Sequence, residues 1–333
     1  MKRLFLSVVA VALSFTAQAG AQERVRLVVG GKSAVFYLPL SVTERLGYFK
    51  DAGLDVEISD VSSGARALQS IVGGSAEIGI GTFEHAIQMQ AKGQPIVALL
   101  QYGRYPGFVL AMMTGKAPLY KSPKDLKGLK IGVTSPGSST HFMAAYMLVR
   151  NGLKADDASF VATGVTSTAV AAARRAEIDA IVSSDPMMTL METDNLVKVV
   201  ADTRTAEGAQ AVYGGPYPGG VIYAAPATIE KNPQAVQAVV NAFVRGLRWI
   251  ASHSAEDIAN LMPAEYALGN PPIYIRALTA SKPMYSPDGL FVPSAVDTAY
   301  AVLKVFDPAV AAATIDLPKT FNDTFVQKAQ AIR

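Results

Sequence analysis

Residues 67–81 read ALQSIVGGSAEIGIG, and residues 169–185 read AVAAARRAEIDAIVSSD. Each is an Ala-rich stretch with helical spacing, then Ala-Glu-Ile, then a short β-type run and a polar loop. Chains built of βα units repeat such phrases by chance. The other reading is two similar lobes, each with its own sheet and each aiming its loops at a shared crevice. Ligands of open α/β sheets bind beyond the carboxyl ends of the strands.

Working outward, the first echo sits in a regular alternation. RVRLVVG (24–30) is a β-rich run ended by Gly30-Gly31, and LPLSVTERLGYFKDAG (38–53) has helical spacing. LDVEISDV (54–61) alternates like a strand, ARALQSIVGG (65–74) is a helix, and AEIGIG (76–81) is a strand. FEHAIQMQAKG (83–93) is a helix and PIVALLQY (95–102) a strand. The pattern restarts with LKIGV (129–133), a helix over 138–152, DASFVAT (157–163), a helix over 166–177, IDAIVS (178–183) and a helix over 186–193. Alternation of this kind predicts βα units around mostly parallel sheets. After residue 200 the chain turns Gly/Pro-rich, GGPYPGGVIYAAP (214–226), and then helical to its end, with Pro233 in the first turn of one helix. A helical tail packs back on one lobe. The chain then crosses between lobes twice, near Leu110–Gly115 and near Pro216–Tyr223, which makes a hinge.

The first residues set the compartment. Met1-Lys2-Arg3 is a positive start, LFLSVVAVALSF (4–15) is apolar but too short to span a bilayer, and Ala17-Gln18-Ala19 and Ala19-Gly20-Ala21 are small-residue cleavage sites. Residues 1–21 are therefore expected to be a signal peptide cut after Ala21, with release into the periplasm because no Cys is present there to carry a lipid. The 333 residues contain no Cys, so stability must come from a core rather than disulfides. Loss of Lys2 and Arg3 lowers the formal charge from +3 to +1, which gives no case for nucleic acid or an anionic membrane surface.

TSPGSSTH (134–141) holds a run of hydroxyls between two apolar stretches. A helix starting there presents unpaired backbone N–H groups and the positive end of its dipole. Ser138, Ser139 or Thr140 can cap that helix, or an anion can fill it, and both can be true of different hydroxyls.

With these phrases in place, a resemblance is legible. The chain resembles the periplasmic solute-binding proteins of nitrate/sulfonate/taurine-type ABC importers, which share a fold with thiamine-pyrimidine-precursor-binding proteins. It is carried by LPLSVTERLGYFKDAGLDVEI, GGSAEIGIGTFEHAIQMQAKGQPIVAL, DLKGLKIGVTSPGSSTHFMAAYMLVRNGL and AEIDAIVSSDP, which span most of residues 25–190. The resemblance implies a type II periplasmic binding protein fold: two mixed, mostly parallel sheets flanked by helices, with a hinge. Lobe I is then 22–110 with 222–333, and lobe II is 111–221. It implies a monomer that closes around a small organic anion of the sulfonate or carboxylate class and docks transiently on a membrane permease, with no cofactor and no catalysis. A neutral heteroaromatic such as a thiamine pyrimidine precursor is the alternative ligand, and presentation to a sensor the alternative role.

The resemblance also places candidate ligand contacts in the loops. They are Ser33, Phe36 and Tyr37; Ser62, Ser63 and Gly64; Thr82 and Phe83; Ser135, Gly137, Ser138, Ser139 and Thr140; Gly164, Val165 and Thr166; Ser184 and Asp185. Phe36 and Phe83 suit a core as well as a pocket. Asp185 can pair with a ligand ammonium or cap the helix at Pro186. Lys32, Arg66 and Arg104 are the cations within reach of the cleft by sequence. Other chemistry is argued against. GGKS (30–33) has Arg26 where a phosphate-binding loop needs Gly. His85, His141 and His253 have no metal-ligand spacing, and the cysteine-rich motif of the related pyrimidine synthases is missing.

Overall fold

The computed structural model describes residues 22–165 and 167–331. The segment 1–21, read above as a signal peptide, lies outside the described residues, and so does Thr166. The strands are β1 (Glu23–Val29), β2 (Leu54–Asp60), β3 (Ile78–Thr82), β4 (Val97–Gln101), β5 (Val109–Met113), β6 (Lys130–Val133), β7 (Ser159–Ala162), β8 (Ala180–Ser183), β9 (Val197–Asp202) and β10 (Gly220–Ala224). They form two five-stranded sheets, ordered β2-β1-β3-β10-β4 and β7-β6-β8-β5-β9.

The sheets share one plan. β1 runs parallel to β2 and β3, while β10 runs antiparallel to β3 and β4. In the second sheet β6 runs parallel to β7 and β8, while β5 runs antiparallel to β8 and β9. The reversed strand of each sheet is the one the chain enters straight after a crossing. The helix Gly64–Val72 with β3, and the helix Ser167–Arg174 with β8, occupy matching places, so the echo at 67–81 and 169–185 has a structural counterpart.

Two strands have no counterpart in the sequence reading. The sequence places a crossing at Leu110–Gly115 and marks no strand over 197–202. Val109–Met113 is buried at every position and so lacks the alternation that marks a half-exposed strand. The chain has already entered the second sheet at Val109, so the first crossing spans residues 102–108, ahead of Leu110. The second spans residues 203–219. The two crossings hold each other: Gly103 N–H donates to the Gly220 carbonyl at 2.9 Å, and Gly219 N–H donates to the Gly103 carbonyl at 3.0 Å.

The C-terminal helices begin as the sequence suggests. Pro233 opens the helix Pro233–Ser252, and the Asn232 side chain caps it by accepting from Ala235 N–H. Their packing differs from the expectation of one lobe alone. The helix Pro293–Phe306 lies on the helix Ser139–Arg150, and Pro271–Ser281 lies on Met187–Thr193, so this tail touches both halves.

Candidate functional site

The carboxyl ends of six strands converge between the sheets. Gly30 and Ala34 follow β1, Gly64 follows β2, and Gly81, Thr82 and His85 end or follow β3. Thr134, Ser138, Ser139 and Thr140 follow β6, Val165 follows β7, and Ser184 follows β8. Phe36, Tyr37 and, from the first crossing, Phe108 complete the lining. The space they enclose is about 30 Å³, room for about two water molecules. The halves are therefore closed on each other.

Short polar contacts hold them there. Thr82 Oγ1 lies 2.5 Å from Ser139 Oγ, and Ser135 Oγ donates to Ser63 Oγ at 2.9 Å. Val35 N–H donates to the Asp185 carbonyl at 2.8 Å. A Cβ on Gly31, whose φ is +102°, would lie 2.1 Å from Val165 Cγ2, so glycine is what lets the halves meet here.

Two helix N-termini face the cavity from opposite sides. The helix Gly64–Val72 is capped by Ser63 Oγ, which accepts from Arg66 N–H at 3.3 Å. The helix Ser139–Arg150 starts after Ser138, whose Oγ accepts from Ala65 N–H at 3.3 Å, across the cleft. A serine of one half thus serves the helix of the other. Thr140 Oγ1 accepts from Thr134 N–H at 3.0 Å. The apolar wall is aromatic: Phe36 stacks on Phe108 at 5.2 Å and meets Tyr37 edge-on at 4.8 Å.

Two buried titratable groups stand side by side. Burial pushes the Glu84 carboxyl up to about 7, against hydrogen bonds with Ser139, Thr82 and Tyr217 that favour its charge. Burial lowers the His85 imidazole to about 4, so it is neutral at pH 7. Its Nε2 lies 3.4 Å from the Gly137 carbonyl, which can only accept, so Nε2 carries the proton.

Of the residues singled out from sequence, Phe36, Tyr37, Gly64, Thr82, Ser138, Ser139, Thr140, Val165 and Ser184 line the cavity together. Ser63 and Ser135 stand behind it in the bonds just described, and Gly137 stands behind His85. Gly164 precedes Val165, and Ser33 is half-buried outside the lining. Ser62 is exposed. Phe83 belongs to the core, its ring 5.6 Å from that of Phe291. The Asp185 carboxylate is turned away from the cavity onto Arg204, Thr189 and Ser281.

The three cations are also elsewhere. Lys32 pairs with Glu44 at 2.5 Å, Arg104 pairs with Asp288 at 2.6 Å, and Arg66 is exposed. No Lys or Arg lines the cavity among the described residues. Sequence reading missed Gly30, Ala34, Gly81, His85, Phe108 and Thr134. The sequence argues against His85 as a metal ligand and gives it no other role; its place just after the AEIGIGTF loop is the available signal.

The family described as NMT1/THI5 like matches residues 36–257. A solved structure of a protein from Bordetella bronchiseptica is 41% identical, covers 93% of this chain and 98% of that one, and superposes with a TM-score of 0.90. The alkanesulfonate-binding protein SsuA from Xanthomonas axonopodis pv. citri shares the fold, with 17% identity, 92% and 100% of the two chains covered and a TM-score of 0.70. A Bacillus subtilis protein named as a binding protein, YtlA, is 23% identical over 77% of this chain and 76% of its own length.

Proposed function

The chain belongs to the NMT1/THI5-like family, and from that premise we propose that it is the substrate-binding component of an ABC import system. It works in the periplasm, closes its lobes (22–108 with 220–333, and 109–219) around one small organic molecule, and presents it to a membrane permease. It is not an enzyme. The ligand carries an anionic head of the sulfonate or carboxylate class.

One observation carries the ligand reading: the N-termini of the helices Gly64–Val72 and Ser139–Arg150 meet at one cavity between the sheets. Each brings the positive end of its dipole, and Ser184 adds a hydroxyl; Ala65 N–H, Arg66 N–H, Thr82 and Ser139 are bonded within the protein here and reach a ligand only by exchanging those partners. Hydrogen bonds to a charged head contribute about 1.5–3 kcal/mol each. Such donors hold a monoanion without a lysine or arginine. The space left with the halves closed is too small for an organic body, so the halves part to admit it and the aromatic wall of Phe36, Tyr37 and Phe108 takes it.

A second reading has its own support. The cavity lining has no Lys or Arg among the described residues, and two stacked phenylalanines border it. A neutral heteroaromatic such as a pyrimidine fits that combination. A thermal-shift screen over sulfonates, aliphatic and aromatic carboxylates, nitrate and pyrimidines separates the two. A true ligand at a hundredfold excess over its dissociation constant stabilises the fold by about 2.7 kcal/mol. Stabilisation by cations alone, or by none of the series, would overturn the proposal.

A further inference from the structure

Hydroxyls and two helix N-termini surround the cavity, with Thr82, Ser139, Ala65 N–H and Arg66 N–H already partnered within the protein. Among the described side chains that line it, one ring nitrogen is buried without a partner. His85 lines the cavity and is buried. Its Nε2 proton is committed to the Gly137 carbonyl at 3.4 Å, which leaves Nδ1 with a lone pair and no proton. Nδ1 is buried and has no hydrogen-bond partner among the described residues. A buried acceptor without a partner costs stability that a donor on the ligand would recover.

Taking the cavity as the ligand site, we propose that its ligand carries an O–H or N–H donor in addition to its accepting head, and that His85 Nδ1 receives it. His85 is thus a specificity residue that rejects plain alkanesulfonates, simple carboxylates and nitrate in favour of hydroxy- or amino-substituted molecules. Because His85 sits on the first half and Gly137 on the second, the histidine that reads the donor also binds the closed form.

The test uses probe pairs of nearly equal shape, differing only in the donor: isethionate against propanesulfonate, para-hydroxybenzoate against para-toluate, and aminomethylpyrimidine against dimethylpyrimidine. Titration calorimetry on the whole protein should find the donor-bearing member of the best pair about tenfold tighter, the worth of one hydrogen bond. His85→Leu should abolish that preference. His85→Gln, whose amide both accepts and donates, should retain part of it. If the donor-free members bind wild type as tightly, the cavity reading stands and the inference is wrong. A preference that persists in His85→Leu overturns it equally. If no probe binds wild type, the cavity reading fails and the inference with it.

Discussion

Asp185 illustrates how a residue of the right type in the right loop can be engaged elsewhere. Its carboxylate accepts from Thr189 N–H at 3.0 Å, Thr189 Oγ1 at 2.7 Å, Ser281 Oγ at 2.7 Å and Arg204 Nη1 at 2.8 Å. Its side chain has no exposed surface. Burial disfavours the Arg204 charge, yet Asp202 and Asp185 outweigh it and hold that guanidinium above the usual arginine range. No lone pair is left for a ligand ammonium. Removing one partner of a buried ion pair costs about 3–5 kcal/mol, and Asp202 remains to soften the loss. Asp185→Ala is therefore expected to lower stability by about 3 kcal/mol in urea titrations and to leave probe affinity unchanged. Weaker binding at unchanged stability would return Asp185 to the ligand. The loop hydroxyls around it were legible because polar clusters after apolar runs stand out in a sequence. Arg204 was not, since nothing local ties it to Asp185. His85 was hidden for another reason: the stretch Glu84–Met89 is buried at every position, so that helix has no polar face against which a site residue could be noticed.

At the scale of the element, the first turn of that helix, Glu84–Ala91, sets two opposing proton linkages. Folded Glu84 keeps a proton that the unfolded chain releases above about 4.5, so its contribution falls as pH rises from 4.5 to about 7. Folded His85 refuses a proton that the unfolded chain takes up below about 6.5, so its contribution falls as pH drops from 6.5 towards 4. The two slopes overlap and largely cancel in wild type. Glu84→Gln should unmask the histidine, with stability climbing by up to about 1.4 kcal/mol per pH unit over that overlap. His85→Gln should give the opposite slope. Urea midpoints taken across the range decide it; three parallel profiles would mean neither group is shifted. The helix Ser139–Arg150 carries a second expectation. Ser139→Ala with Thr140→Ala removes hydroxyls at the cavity but leaves the backbone donors, so affinity should drop roughly tenfold to a few hundredfold. Stability should fall by about 1–3 kcal/mol, because both hydroxyls are buried and Thr140 Oγ1 accepts from Thr134 N–H. Calorimetry showing full affinity together with a lowered melting temperature would reduce these hydroxyls to internal hydrogen-bond partners. Helices with Gly or Pro stops were readable from sequence, whereas β5 was not, because a five-residue strand buried on both faces has no period to detect.

At the scale of the molecule, small neutral groups add to closure at the cavity, beside the C-terminal helices that touch both halves. Ser63 with Ser135, Thr82 with Ser139 and Ala65 with Ser138 each join the halves by a contact worth about 0.5–1.5 kcal/mol net. Such contacts tip a balance without locking it, so a ligand touching both halves can shift the population by its differential affinity. Motion then concentrates where the two crossings are bonded to each other. A Cβ on Gly103 would lie 2.4 Å from Gly220 N, against backbone that cannot step aside without parting the crossings. Gly103→Ala should therefore destabilise by about 1–3 kcal/mol, the usual cost of overpacking, and should disturb closure at a distance from the ligand. Gly115 is the control, since a Cβ there meets nothing within 4 Å. Small-angle X-ray scattering should find that wild type and Gly115→Ala contract when saturated with the best probe of the screen. Gly103→Ala should stay expanded or need far more probe to contract. If Gly103→Ala melts no lower than Gly115→Ala and contracts at the same probe concentration, the paired crossings are not the joint about which the lobes close.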